Sequence, residues 1–190
     1  EKITKYRERK KDLERRIKIL EKSDLYKHKQ ELKKLEQMHT LGEVNFDSVF
    51  IIDFGERLKS VLTSFMFSDV SNKKVNFFTI NQWFDETLFN EDAMQNLHFP
   101  SINFINLKKF NKKFSNKFNE KPNEVSILAY DALGLIYYCW ANNNFKFQKD
   151  QLYSNKGFKG LHGEFFIKDN QSLQKLKIYK ITGKKFIKVY

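Results

Sequence analysis

Asp53-Phe54-Gly55, inside "IIDFGERL" (51 to 58), has the residue types and order of a magnesium-holding tripeptide for phosphoryl transfer. That chemistry requires companions: a lysine on a neighbouring strand for the phosphates, and a His-Arg-Asp loop with a metal-binding Asn just upstream. Upstream stands "YKHKQELKKLEQMHTLGEVNFDSV" instead, a charged helix and a short linker. No glycine-rich loop, His-Arg-Asp or Ala-Pro-Glu occurs anywhere, which excludes the kinase reading. A phosphate-cradling turn would need G-x-G-x-x-G or G-x-x-x-x-G-K-[ST], and one glycine is too few. The four histidines (His28, His39, His98, His162) show no metal-ligand spacing with one another or with Cys139. A serine with a nucleophile elbow is also missing. His162 stands among glycines in a hairpin lead-in, where turn geometry explains the glycines. The expectation is a protein without catalytic residues, cofactor or metal.

The tripeptide still needs a frame. "FDSVFII" (46 to 52) reads as a short strand, "ERLKSVLTSFMF" as a helix with Leu58, Val61, Leu62, Phe65 and Met66 on one face, and "KVNFFTI" (74 to 80) as a second strand. Strand, turn, helix, strand over this length is a βαβ unit, so the two strands run parallel. Ligands of open parallel sheets lie beyond the carboxyl ends of the strands. Two loops are therefore the candidate ligand-facing residues: Asp53, Phe54, Gly55 and Glu56, and Asn81, Gln82 and Trp83. Gly55 eases the strand-to-helix turn. Asp53 either caps the helix or reaches a ligand.

Residues 2 to 22 and 25 to 38 read as two charged helices with narrow apolar stripes, Ile3, Tyr6, Leu13, Ile17, Leu20 and Leu25, Leu32, Leu35, Met38. Ser23-Asp24 supplies turn and N-cap chemistry, which predicts an antiparallel hairpin. Further on, "LHFPSINFIN" reads as a strand bent by Pro100. "LKKFNKKFSNKFNEKP" reads as a helix carrying Leu107, Phe110, Phe114 and Phe118. "NEVSILAYDALGLIYYCWANN" is apolar nearly all round, so burial is expected, with Cys139 as an inert buried thiol. The tail reads as three antiparallel strands with turns at Asp169-Asn170 and Thr182-Gly183-Lys184.

The 190 residues carry a formal charge of +12, spread evenly between the two leading helices and the rest. Such an excess suits an acidic partner, whether nucleic acid, anionic polymer or membrane surface. The 20 Phe against 7 Gly and 2 Pro favour the plainer reading of a Lys/Asn/Phe-biased proteome, and no nucleic-acid partner is expected. No apolar run reaches the length of a membrane span. The chain begins at Glu1 without methionine or signal sequence, so a fragment or processed chain is expected.

In order and spacing these pieces resemble the second half of a type I periplasmic-binding-protein fold. "SILAYDALGLIYY" (126 to 138) is similar to the family's Ala-Tyr-Asp-Ala helix. "GFKGLHGEFFIKDNQSLQKLKIYKITGKKFIKVY" resembles its closing Phe-x-Gly-x-x-Gly-x-Phe-x-Phe pattern with strand, turn and strand. The resemblance is greatest to the penicillin-binding-protein activators related to leucine/isoleucine/valine-binding proteins. In these a charged helical pair precedes a strand similar to "FDSVFIIDFGERL", and a tryptophan loop similar to "TINQWFDETL" follows.

The resemblance implies two α/β lobes around a hinged cleft, with an added N-terminal helical hairpin and a C-terminal antiparallel β segment. Residues 1–45 would be the hairpin on the C-terminal lobe and 46–97 that lobe's βαβ part. Residues 98–155 would return to the N-terminal lobe with Pro100 as hinge, and 156–190 would supply closing strands of the C-terminal lobe. Roughly the first half of such a protein would be absent. Two functions follow. One is a non-catalytic periplasmic protein that activates a penicillin-binding protein, docking through Arg15, Arg16 and Lys18. The other is the solute-binding component of an ABC importer, with an amino-acid-like ligand and an ABC permease as partners. The hairpin exceeds what a solute receptor needs and favours the activator. Lipid anchoring through a region outside this chain stays open.

Overall fold

A computed structural model describes residues 2–23, 25–161 and 163–190. Asp24, the expected cap, and His162 lie outside the described residues, as does the side chain of Glu124. The chain forms two compact units. Unit 1 comprises Glu1–Ile80, Asp85–Phe99 and Lys180–Ile187; unit 2 comprises Asn81–Phe84, Pro100–Tyr179 and Lys188–Tyr190.

Unit 1 opens with helices α1 (Tyr6–Glu21) and α2 (Tyr26–Leu35), each shorter than its apolar stripe suggests. Leu13, Leu20 and Leu35 form a core of their own with Ile17, Leu32 and Leu41 around it. Ile3, Leu25 and Met38, expected on the stripes, stay exposed because they fall outside the helical turns. Arg9 lies one turn before Leu13 on the same face and is buried. Its guanidinium donates to the carbonyls of Gly42 (2.7 Å), Ser68 (2.9 Å), Leu41 (3.2 Å) and Thr4 (3.4 Å). The Asp69 carboxylate completes the join, accepting from the Thr40 and His39 amides and the Thr40 hydroxyl. The hairpin is thereby bolted to the end of the next helix.

Strand β1 (Ser48–Ile51), helix α3 (Gly55–Phe67) and strand β2 (Asn76–Thr79) make the βαβ unit. β1 and β2 are parallel, from Ser48 opposite Asn76 to Ile51 opposite Thr79. On α3, Leu58 and Leu62 are fully buried and Phe65 is half-buried; Val61 and Met66 reach solvent. β2 alternates, Phe77 and Thr79 inward, Asn76 and Phe78 outward, as period-2 geometry requires of a half-covered sheet. Strand β3 (Leu97–Ser101) adds a third parallel member through Phe77–Leu97 and Phe78–His98. Pro100 sits within this strand, past the last pairing with β2, so its missing N–H breaks no bond on that side.

His98 is half-buried, ring-stacked on Phe78 at 5.1 Å with Nδ1 3.3 Å from the Phe77 carbonyl. Burial, and secondarily the charge of Lys180, push its pKa below 6.5, while the Phe77 carbonyl pulls the other way. A depressed histidine takes up its proton less readily when folded than when unfolded. Its contribution is therefore complete above pH 6.5 and is lost as pH falls from there toward the lower folded value. His98→Gln should flatten the stability-against-pH curve in that window, measured by urea melts at stepped pH.

In unit 2, helix α4 (Phe104–Phe118) is capped by Asn103, whose Oδ1 accepts from the Ile105 and Asn106 amides. Asn123 does the same for Ser126 at the start of helix α5 (Glu124–Ala141). Leu107 and Phe110 of α4 are buried, whereas Phe118 at its end is not. Strands β4 (Phe158–Gly160), β5 (Gly163–Lys168) and β6 (Gln171–Gln174) pair antiparallel in a separate sheet. Strands β7 (Lys177–Thr182) and β8 (Lys185–Lys188) extend the first sheet, in the order β1-β2-β3-β7-β8. The tail thus has five strands where three were expected. Its turns fall where predicted: Asp169-Asn170 and Gly183-Lys184 both take left-handed φ, the type I′ requirement of tight hairpins.

Residues 156–179 belong to unit 2, and the chain re-enters unit 1 at Lys180. The cause is local: the Leu161 amide donates to Asp131 on α5 at 2.7 Å, and Phe158 packs edge-on against Tyr138. Gly160 leaves room for that carboxylate, since a Cβ would lie 2.6 Å from the Asp131 carboxyl carbon and oblige the side chain to shift. One expectation is corrected, the burial of α5. Ile127 and Cys139 are buried, but Val125, Leu133 and Tyr137 are 69%, 68% and 66% exposed. One face packs against α4 and β4, and the other is exposed. No helix among the described residues is long and apolar enough to cross a membrane.

Candidate functional site

The carboxyl ends of β1 and β2 lie at the same edge of the sheet because the strands are parallel and in register. Chain leaving β1 is pinned there by the buried Thr79, whose hydroxyl lies 2.8 Å from the Ile51 carbonyl and 3.0 Å from that of Asp53. Gly55 turns the chain into α3 with φ +59, a conformation that costs other residues about 1 kcal/mol. The helix cap position is Phe54, which makes no side-chain cap bond. Asp53 precedes it. Its Oδ1 accepts from the Phe54 amide at 2.9 Å. Phe54 projects into solvent, and Glu56 pairs along the helix with Lys59 at 2.8 Å. That bond is the main reason the Lys59 pKa rises.

The second loop belongs to unit 2. Asn81 Oδ1 accepts from the Trp83 amide (2.9 Å) and the Ser101 hydroxyl (2.8 Å), closing an Asx turn. Gln82 is buried. Trp83 and Phe84 follow with φ of +51 and +59, two successive left-handed residues neither of which is glycine. Such backbone costs roughly 1–3 kcal/mol per residue and persists only where its surroundings enforce it. Here the enforcement is Phe84, held between the rings of Phe104 (4.7 Å) and Tyr179 (4.8 Å), with the Tyr179 hydroxyl 3.3 Å from the Phe104 amide. The sequence marks this loop through its polar residues and tryptophan, but nothing in it announces the strained turn.

Of the proposed docking residues, Arg16 makes a two-pronged pair with Glu31 across the hairpin, at 3.0 and 3.2 Å. It holds α1 to α2. Arg15 bonds Asp12 within its own helix at 3.4 Å, and Lys18 is exposed. The described histidines have local partners: His28 with the Ser23 hydroxyl, His39 with the Phe67 ring and His98 with Phe78. Among the described residues no group of three His, Cys, Asp or Glu could hold a metal.

No family model and no curated protein matches this sequence. Solved structures do. A branched-chain amino acid ABC transporter periplasmic ligand-binding protein from Burkholderia xenovorans aligns at TM-score 0.57, with 12% identity, over 76% of this chain and 43% of its own. The fold is that of a type I periplasmic binding protein, in part. An extracellular ligand-binding receptor from Desulfohalobium retbaense aligns at TM-score 0.53, 15% identical, over 87% of this chain and 29% of its own. A leucine-binding protein from Thermotoga maritima aligns at 0.50, 13% identical, over 76% and 44%. The chain spans less than half the length of each of these three proteins.

Proposed function

We propose that this chain is part of a non-catalytic periplasmic binding protein that docks on a penicillin-binding protein and activates it. The observation that carries this reading is the helical hairpin. It has a core of its own, and Arg9 and Asp69 tie it to the rest of unit 1 while Arg15 and Lys18 face water. A basic face held in this way suits recognition of an acidic surface, where exposed charge chiefly raises the association rate.

The double reversal Arg15→Glu with Lys18→Glu leaves the Arg16–Glu31 clip intact. It is expected to slow association with a penicillin-binding protein from the same envelope several-fold at low salt. The salt dependence should flatten, and melting should hold within about 0.5 kcal/mol. Surface-plasmon measurements at stepped ionic strength read both. Identical rates and slopes would leave the hairpin a packing element. A second reading, the solute receptor, is favoured by the strained Asn81–Phe84 turn. Saturation with leucine at a hundred times its Kd would then stabilise the protein by about 2.7 kcal/mol. No thermal shift with leucine or the other branched-chain amino acids would remove that class of ligand.

A further inference from the structure

Seven lysines converge on one face of unit 2, although they are scattered through the sequence. A cavity of about 560 Å³ is lined by Lys159, Lys175, Lys177 and Lys188 together with Asn103 and Asn106. They come from β4, the β6–β7 connection, β7, β8 and the start of α4. Asn106 also lines an adjoining cavity of about 410 Å³, which contains Lys109, Lys112 and Lys113 of α4. Across both linings the one carboxylate is Glu164, 3.6 Å from Lys175.

A uniformly basic composition spreads lysines over solvated faces. Here folding gathers them around two cavities that share Asn106, against their mutual repulsion, and such a concave basic surface concentrates counter-charge. The cations are all lysines, which act as point charges and lack the planar fork of arginine for bidentate recognition. That chemistry fits a run of singly charged groups on a flexible backbone. Asn103, Asn106 and Tyr190 are also in the lining, and residues with amide and hydroxyl groups suit hydroxyls between those charges.

We infer that the track from Lys188 through Asn106 to Lys113 binds a linear polyanion, a phosphodiester-linked polyol or sugar polymer. The inference does not rest on synthase docking, which uses other residues in unit 1.

The probe is short-chain inorganic polyphosphate, with orthophosphate and a thymidine oligonucleotide as comparators, titrated by calorimetry at stepped salt. The intact chain should bind polyphosphate with a log K against log salt slope that grows by about 0.7–0.9 per neutralised charge. Replacing Lys109, Lys177 and Lys188 with glutamine should weaken binding at least tenfold and flatten that slope by roughly two units. Replacing Lys10, Lys11 and Lys22 on the hairpin removes the same charge elsewhere and should change little. Melting curves confirm that both variants fold. Equal losses in the two variants would reduce the effect to net charge and overturn the track. Orthophosphate matching polyphosphate in affinity, or the oligonucleotide exceeding it, would overturn the choice of ligand.

Discussion

Arg9→Met is expected to destabilise the protein by about 3 kcal/mol and to lower its melting temperature by roughly 10 °C. Methionine keeps much of the apolar stem of arginine, so packing beside Leu13 changes little. What goes is the charged donor group shared by four carbonyls, Thr4, Leu41, Gly42 and Ser68. Each carbonyl left buried without a donor costs about 1–3 kcal/mol, offset in part where water enters. Arg9→Lys should recover only part of the loss, because one compact ammonium cannot reach acceptors spread around a planar fork. Asp69, with its own bonds to residues 39 and 40, keeps the hairpin against the rest of unit 1, so far-UV helicity should survive while the melt moves. A variant melting within a degree or two of the parent would mean that Arg9 is a bystander.

Gly157→Ala is the second substitution with a large effect, roughly 2–4 kcal/mol. Gly157 has φ +65, and a Cβ there would lie 2.6 Å from the Phe166 ring and 2.8 Å from the Phe165 carbonyl oxygen. Two costs add: left-handed backbone, about 1 kcal/mol, and collision with the main chain of β5. Gly183→Ala separates them. Its φ is +56, but nothing lies within 4 Å of the added carbon, so only the first cost applies. Hydrogen exchange at Phe165 to Lys168 should quicken in the first variant and stay unchanged in the second. Equal effects on stability would show that the collision relaxes away at no cost.

Elements whose evidence is local were legible in the sequence. The βαβ unit reads from period, turn and length, and its parallel orientation follows from the long helical crossover. The motifs carrying the family resemblance also proved to be partners, since Asp131 of "AYDAL" accepts from Leu161 of "GFKGLHG". Two kinds of feature were not legible. An arginine inside "RERKK" looks solvated, although its position four before Leu13 on the apolar face was a readable sign. The burial of α5 fails for another reason: periodicity reports that a helix is apolar, never which elements exist to cover it. At the candidate loops the residue types drew attention to Asp53 and Trp83, while the buried Thr79 hydroxyl and the left-handed pair at 83 and 84 depend on tertiary packing.

The discontinuity of unit 1 sets an order of assembly during synthesis. Its last stretch, Lys180–Ile187, supplies Ile181, whose carbonyl takes the Asn96 amide at 2.8 Å, and Phe186, which closes on Phe89 and Phe99. About eighty residues separate β3 from that stretch, and a ribosome adds roughly 5–20 per second. For roughly four to sixteen seconds the nascent chain therefore carries β3 with its β7 side unpaired and Leu97 and Phe99 short of neighbours. Most of unit 2 is the single run Pro100–Tyr179, which emerges complete before that wait ends. Of these two units, the one translated earlier is thus the one that finishes last, and it is the one that a nascent-chain chaperone has reason to hold.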